Sequence, residues 1–144
     1  MTSVLVLSTI AAWAMVGLIW LIQIVHYPML AQFSQAAPIE AATYHSRRIT
    51  PVVGPFMVVE GVTGLALMAA QPSGVSWVLT WLAAALLGVA LLSTVVFSVP
   101  QHSALARGHD ADAAHRLIRT NWYRTIAWTA RACILTVALL QASN

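Results

Sequence analysis

Charge is confined to a few short stretches of this chain, and that constrains its fold more than any other feature. The first charged residue, Glu40, follows 39 uncharged positions, and between Arg48 and Arg107 the sole charge is Glu60. Uncharged apolar runs of this length have nowhere to be buried in a small soluble domain. Of the 144 residues 60% are hydrophobic and 8% charged, where a soluble domain carries about 25% charged residues. With a mean hydropathy of +0.80, the composition excludes both a soluble globule and a disordered chain. The chain belongs in a bilayer, as an all-α, antiparallel four-helix transmembrane bundle forming one domain over residues 1–144.

Four spans are expected, over about 4–30, 51–71, 75–99 and 122–142. The first is long enough to cross a hydrocarbon core of about 30 Å at 1.5 Å per residue. A cleaved signal peptide, with Ser34 and Ala36 at the cleavage site, is the competing reading. It is disfavoured because no basic segment precedes the apolar run, which far exceeds the usual length of about 7 to 15 residues. Thr50 and Pro51 read as the N-cap and first helical position of the second span, and Gln71-Pro72-Ser73-Gly74 breaks it. Pro100 is expected to stop the third.

The turn between the second and third spans is short and uncharged, so these two form a hairpin. The two longer connections hold Arg47, Arg48, Arg107, Arg116 and Arg119. With four spans both connections lie on one side, which the positive-inside rule makes the cytoplasm. Both termini then face away from it, and the expected location is the cell inner membrane. The second long connection is expected to hold a short interfacial helix, capped by Asp110, with Asp112 and Arg116 paired at i, i+4. Five of the seven Arg lie in segments flanking apolar spans, which argues against a nucleic-acid partner. Cys133, the only cysteine, reads as a small buried residue.

Glu60 falls nine residues into the second span, about 14 Å deep, where an isolated carboxylate is costly. Arg131 lies at matching depth in the fourth span, so an ion pair between these spans is expected. Asn121, Arg124, Trp128 and Arg131 recur at spacings of three, four and three, forming one polar helical stripe. Trp128 is placed for cation–π contact with the arginines. Trp122 and Tyr123 read as interfacial anchors. Gly54, Gly61 and Gly64 put a glycine face on the second span, and Ala84 with Gly88 a small-residue pair on the third.

Gln23, His26 and Tyr27 share a face at the end of the first span, where Pro28 frees carbonyls. His45 and His102 fall on the same side of the membrane, giving a polar mouth, whereas His109 and His115 lie in the connection. No HExxH, no Glu-x-x-His and no closely spaced histidine pair is present, so no metal site is assigned and the cofactor is left open. A metal across His26, His45, His102 and Glu60, or a haem between His26 and His102, would have to be assembled by the fold.

Val99-Pro100-Gln101-His102 through Leu105, then Asn121-Trp122-Tyr123-Arg124-Thr125, with Tyr27-Pro28 ending the first span, resemble the small four-span membrane family that includes the anthrone oxygenases. The resemblance implies oxygen-dependent oxidation of an aromatic, quinol-like substrate, with Asn121 and Arg124 at the matching positions. His26 and the stretch Tyr44 to Arg48 depart from that pattern. A looser likeness is to small four-helix haem membrane proteins. The expectation is an oxidoreductase on a lipophilic aromatic or quinone-like molecule, with His26, His102, Arg124 and Arg131 catalytic. Gln23, Tyr27, Glu60, Asn121 and Trp128 would bind the substrate in a polar cavity. The alternative is non-enzymatic: a small-solute or proton-coupled carrier, or a subunit of a homo-oligomer or larger membrane complex.

Overall fold

A computed structural model describes residues 1–33, 38–108 and 111–143, almost all of them helical. In chain order the elements are α1 (Thr2–Leu21), a π-helical turn (Ile22–His26) and α2 (Tyr27–Phe33). They continue with α3 (Pro38–Ala69), α4 (Trp77–Ser93), a second π-helical turn (Thr94–Ser98), α5 (Val99–Leu105) and α6 (Ala111–Ala142). Helices stacked end to end make four segments long and apolar enough to cross a membrane: Thr2–Gln32, Ile39–Ala69, Trp77–Leu105 and Asp112–Ala142. The Asp110 cap, the Ser34 and Ala36 cleavage site and His109 lie outside the described residues.

The spans pack in a ring, α1 against α3, α3 against α4, α4 against α6 and α6 back on α1. Their shared core joins Met15, Ile19, Leu67, Trp128 and Leu135 to small residues such as Ala12, Ala90 and Ala132. In lipid, where apolar contact alone gives little drive for association, small residues let backbones approach and van der Waals packing take over. Two exposed indoles tie α1 to α6: Trp13 donates to Thr136 Oγ1 at 3.0 Å and Trp20 to Thr129 Oγ1 at 3.1 Å. Each N–H thereby finds an acceptor where lipid offers none.

The hairpin between α3 and α4 turns at Gly74, whose φ of 78° is one that glycine adopts without steric cost. A side chain there would also crowd the Gln141 carbonyl at 3.3 Å. The Gln71 amide bonds the Val75 carbonyl and the Ser76 N–H bonds Gln141 Oε1, so the turn is fastened to the end of α6.

Several elements run further than their breakers suggest. The second span's helix starts at Pro38, with Pro51 and Pro55 inside it, and Thr50 bonds the Ser46 carbonyl at 2.8 Å instead of capping a helix start. Pro100 does not stop the third span, which continues to Leu105. Asp112 to Ile118, expected as a short interfacial helix, are the first turns of α6, because no breaker separates them from Asn121. Cys133 is exposed on the outside of the bundle and not buried. Of the glycine face only Gly64 is packed; Gly54 and Gly61, like Gly88, have open space where a side chain would go.

Candidate functional site

The polar side chains inside the bundle fall into two groups. The deeper one centres on Arg131, which is 1% exposed. Its Nε bonds Glu60 Oε2 at 2.8 Å, Nη1 the Ala83 carbonyl at 2.7 Å and Nη2 Ser8 Oγ at 3.0 Å. The expected ion pair between spans two and four is therefore present, and it runs diagonally across the ring while the other two donors take up α4 and α1. Gly64 makes room: a side chain there would come 3.8 Å from Arg131 Nη2 and 3.2 Å from Leu87 Cδ2. The open space beside Arg131 is only about 10 Å³.

Trp128, wholly buried, links this group to the second. Its indole N–H faces the Glu60 carboxylate without closing a hydrogen bond of ordinary geometry. The Arg124 guanidinium lies 5.3 Å from its ring centroid. Arg131, expected to flank the same ring, is turned away to Glu60, Ser8 and Ala83. It stands seven residues, about 10.5 Å, deeper than Arg124 along α6, and its guanidinium is bonded to Glu60, Ala83 and Ser8.

The second group occupies the end of the bundle where the long connections lie. Arg124 Nη1 donates to Ser98 Oγ at 2.9 Å and Asn121 Oδ1 at 3.2 Å, and its Nε has no partner among the described residues. Asn121 Nδ2 donates to Gln23 Oε1 at 2.7 Å, and Gln23 Nε2 to the Ile118 carbonyl at 3.2 Å. The Tyr27 hydroxyl sits against Arg124 and 3.1 Å from His102 Nε2. His26 Nε2 and His45 Nδ1 share a hydrogen bond of 2.6 Å. The His45 ring packs against both others, with centroids 4.4 Å from His26 and 5.1 Å from His102. His45 Nε2 and His102 Nδ1 are buried and unpartnered among the described residues.

Two proline effects build this end. Proline has no N–H, so Pro28 cannot bond the Ile24 carbonyl, nor Pro100 that of Val96. In both places the helix widens just upstream: the Tyr27 N–H reaches Ile22 O and the Val99 N–H reaches Thr94 O, each five residues back. Such π-helical turns recur at functional sites. One carries Gln23 and His26, the other ends on Ser98, the acceptor for Arg124. The long α3 supplies His45, which spacing alone leaves outside the site because its segment reads as a connection. The one sequence signal for it is a third histidine on the same membrane side.

His26 and His102, the histidine pair weighed for a haem, both pack against the His45 ring. Among the described residues no group of three His, Cys, Asp or Glu side chains is arranged to hold a metal ion. Hydrogen bonds join Gln23, Asn121 and Arg124 to one another, and Tyr27 to His102. Open volume begins at the edge, in a groove of about 320 Å³ between α3 and α5, lined by Ser46, Ile49, Thr50, Val99, His102, Ser103 and Ala106. No family model, no curated protein and no solved structure matches the chain.

Proposed function

We propose that this four-span membrane protein is an oxidoreductase for a lipophilic aromatic or quinol-like molecule that enters the groove between α3 and α5 from the bilayer. The observation that carries the reading is that His102 both lines the groove and joins Tyr27, His45 and Arg124 behind it. A hydrophobic slot ending on a proton acceptor and a buried cation suits a weakly acidic aromatic. His102 accepts the proton of a hydroxyl, or of a carbon between two aryl rings, and Arg124 stabilises the anion that forms. Following the anthrone oxygenase resemblance, dioxygen is the oxidant. The carbanion adds dioxygen and the hydroperoxide loses water, so a CH2 group becomes a carbonyl with one oxygen retained and the other leaving as water. Gln23 and Asn121 hold Arg124 in place, and Glu60 with Arg131 holds the helices. We further infer that this end faces the cytoplasm of the inner membrane, since the exposed arginines cluster there.

A carrier loading cargo at Glu60 and Arg131 is less well supported, because the donors of Arg131 are taken by the bundle itself. Oxygen uptake by the detergent-purified protein with anthrone or a hydroquinone tests the reading, alongside an absorption spectrum and metal analysis. Uptake lost in both His102→Ala and Arg124→Gln, with helical content retained, is expected. Uptake equal to wild type in both would end the oxidoreductase reading and leave a non-enzymatic subunit.

A further inference from the structure

The first turns of α6 carry a second feature that the oxidoreductase reading does not use. A bay of about 500 Å³ is lined by Asp112, His115, Arg116, Ile118, Arg119 and Trp122. Spacings of three and four residues put these side chains along one strip of the helix. Arg116 is fastened to α5, its Nε donating to Gln101 Oε1 at 3.4 Å. Arg119 is exposed, and its guanidinium has no hydrogen-bond or ion-pair partner among the described residues.

Depth identifies what the strip meets. Arg131 lies near the middle of the bundle and eleven residues, about 16 Å, from the far end of α6, which places it close to the bilayer midplane. Half of the hydrocarbon core is about 15 Å. Trp122 is nine residues from Arg131, about 14 Å, and so stands at the hydrocarbon boundary. There it packs edge-on against Trp20 with centroids 5.6 Å apart, as an interfacial tryptophan should. Arg119 is twelve residues from Arg131, about 18 Å, at the level of lipid phosphates. Arg48, twelve residues from Glu60 on α3, reaches the same level, but it is engaged over the Tyr44 ring at 5.3 Å.

We propose that this bay binds the phosphodiester of an anionic phospholipid headgroup. Arg119 and Arg116 take the phosphate oxygens, and the guanidinium fork matches them with paired donors as an ammonium does not. His115 adds a donor, Ile118 and Trp122 receive the glycerol and upper acyl carbons, and Asp112 at the aqueous rim faces headgroup hydroxyls. The site is independent of the chemistry at His102.

Native mass spectrometry of the full-length protein in detergent, titrated with dioleoylphosphatidylglycerol, tests this. One retained lipid per chain is expected, held more tightly than dioleoylphosphatidylcholine. The Arg116→Gln/Arg119→Gln variant should weaken it about thirtyfold, at roughly one decade or less per arginine. Arg119→Gln alone should give part of that loss, and Arg107→Gln, which removes the same charge elsewhere, should give none. All three substitutions are on exposed side chains, and circular dichroism checks the fold. Undiminished lipid retention in the double variant overturns the proposal, and so does an equal loss in Arg107→Gln, which would mean net charge alone. Displacement of the lipid by inorganic phosphate at matched concentration would assign the site to a soluble anion and overturn the lipid source.

Discussion

The Arg131 junction and the histidine cluster look alike in sequence, as ionisable residues in apolar helices, yet the hydrogen bonding of their arginines differs. Arg131 has all three of its donor nitrogens engaged by three other helices. The cluster keeps His45 Nε2, His102 Nδ1 and Arg124 Nε unpartnered among the described residues, beside an open groove. At the junction Glu60 Oε1 and the Trp128 indole N–H face each other without a closed bond, but only about 10 Å³ lies open beside Arg131. The network there fixes helix register, whereas spare donors and acceptors next to a groove retain capacity for a ligand. Polarity inside a bilayer therefore marks importance, and it is spare hydrogen-bonding capacity next to open volume that separates chemical from structural use.

That contrast breaks first at Glu60. Glu60→Ala leaves the Arg131 charge buried without its counter-ion, and breaking such a pair costs about 3 to 5 kcal/mol. Thermal unfolding in detergent should show a larger loss than any single substitution at the histidine cluster produces. Glu60→Met with Arg131→Met should recover most of it, because apolar residues of similar length replace a desolvated pair at little net cost. A double variant as unstable as Glu60→Ala would mean that the bonds to Ser8 and Ala83, not the charges, hold the helices.

At the other region the balance reverses. His45→Phe keeps the ring packing but removes Nδ1, which is bonded to His26 Nε2, along with the unpartnered Nε2, so stability should fall by about 1 kcal/mol, well short of the loss at Glu60. Oxygen uptake should fall by about 10² or more if the imidazoles pass the proton onward from His102. Unfolding and turnover measured on the same preparation separate the two effects; a large stability loss with intact turnover would make the cluster a second structural junction.

The four spans and the Glu60 to Arg131 pair are legible in the sequence because apolar length and matched depth are properties of single helices. Proline misleads in both directions. Pro51 and Pro100 look like boundaries, yet the helices pass through them, since packing on neighbouring spans holds a helix whose ladder lacks one bond. The resulting shift to five-residue bonds, and with it the placing of Gln23, His26 and Ser98, depends on tertiary support that no local pattern encodes. His45, expected only at the polar mouth, is left out of the expected catalytic and binding residues for the same reason, because its helix reaches back to Pro38. Pro100→Ala restores an N–H for Val96 O, so the turn should revert to α-helix with a gain of at most about 1 kcal/mol. Upstream side chains would rotate by about 100°, one residue's turn. Ser98 would leave Arg124, and oxygen uptake should drop although the protein is no less stable.

The smallest effect concerns the glycines of α3, and it tests whether the junction is as tightly closed as its bonds imply. Gly61→Ala meets nothing within 4 Å and gains the helix preference of alanine, up to about 1 kcal/mol. Gly64→Ala gains the same preference but brings its methyl group to 3.2 Å from Leu87 Cδ2 and 3.8 Å from Arg131 Nη2. The Leu87 methyl can yield only against a packed core, since Leu87 is itself buried. Overpacking there should cost about 1 kcal/mol or more, leaving Gly64→Ala below Gly61→Ala in unfolding measurements in detergent. Equal stabilities would mean that the space around Arg131 relaxes easily, and a junction that relaxes that easily does not fix the helix register that positions the histidines above it.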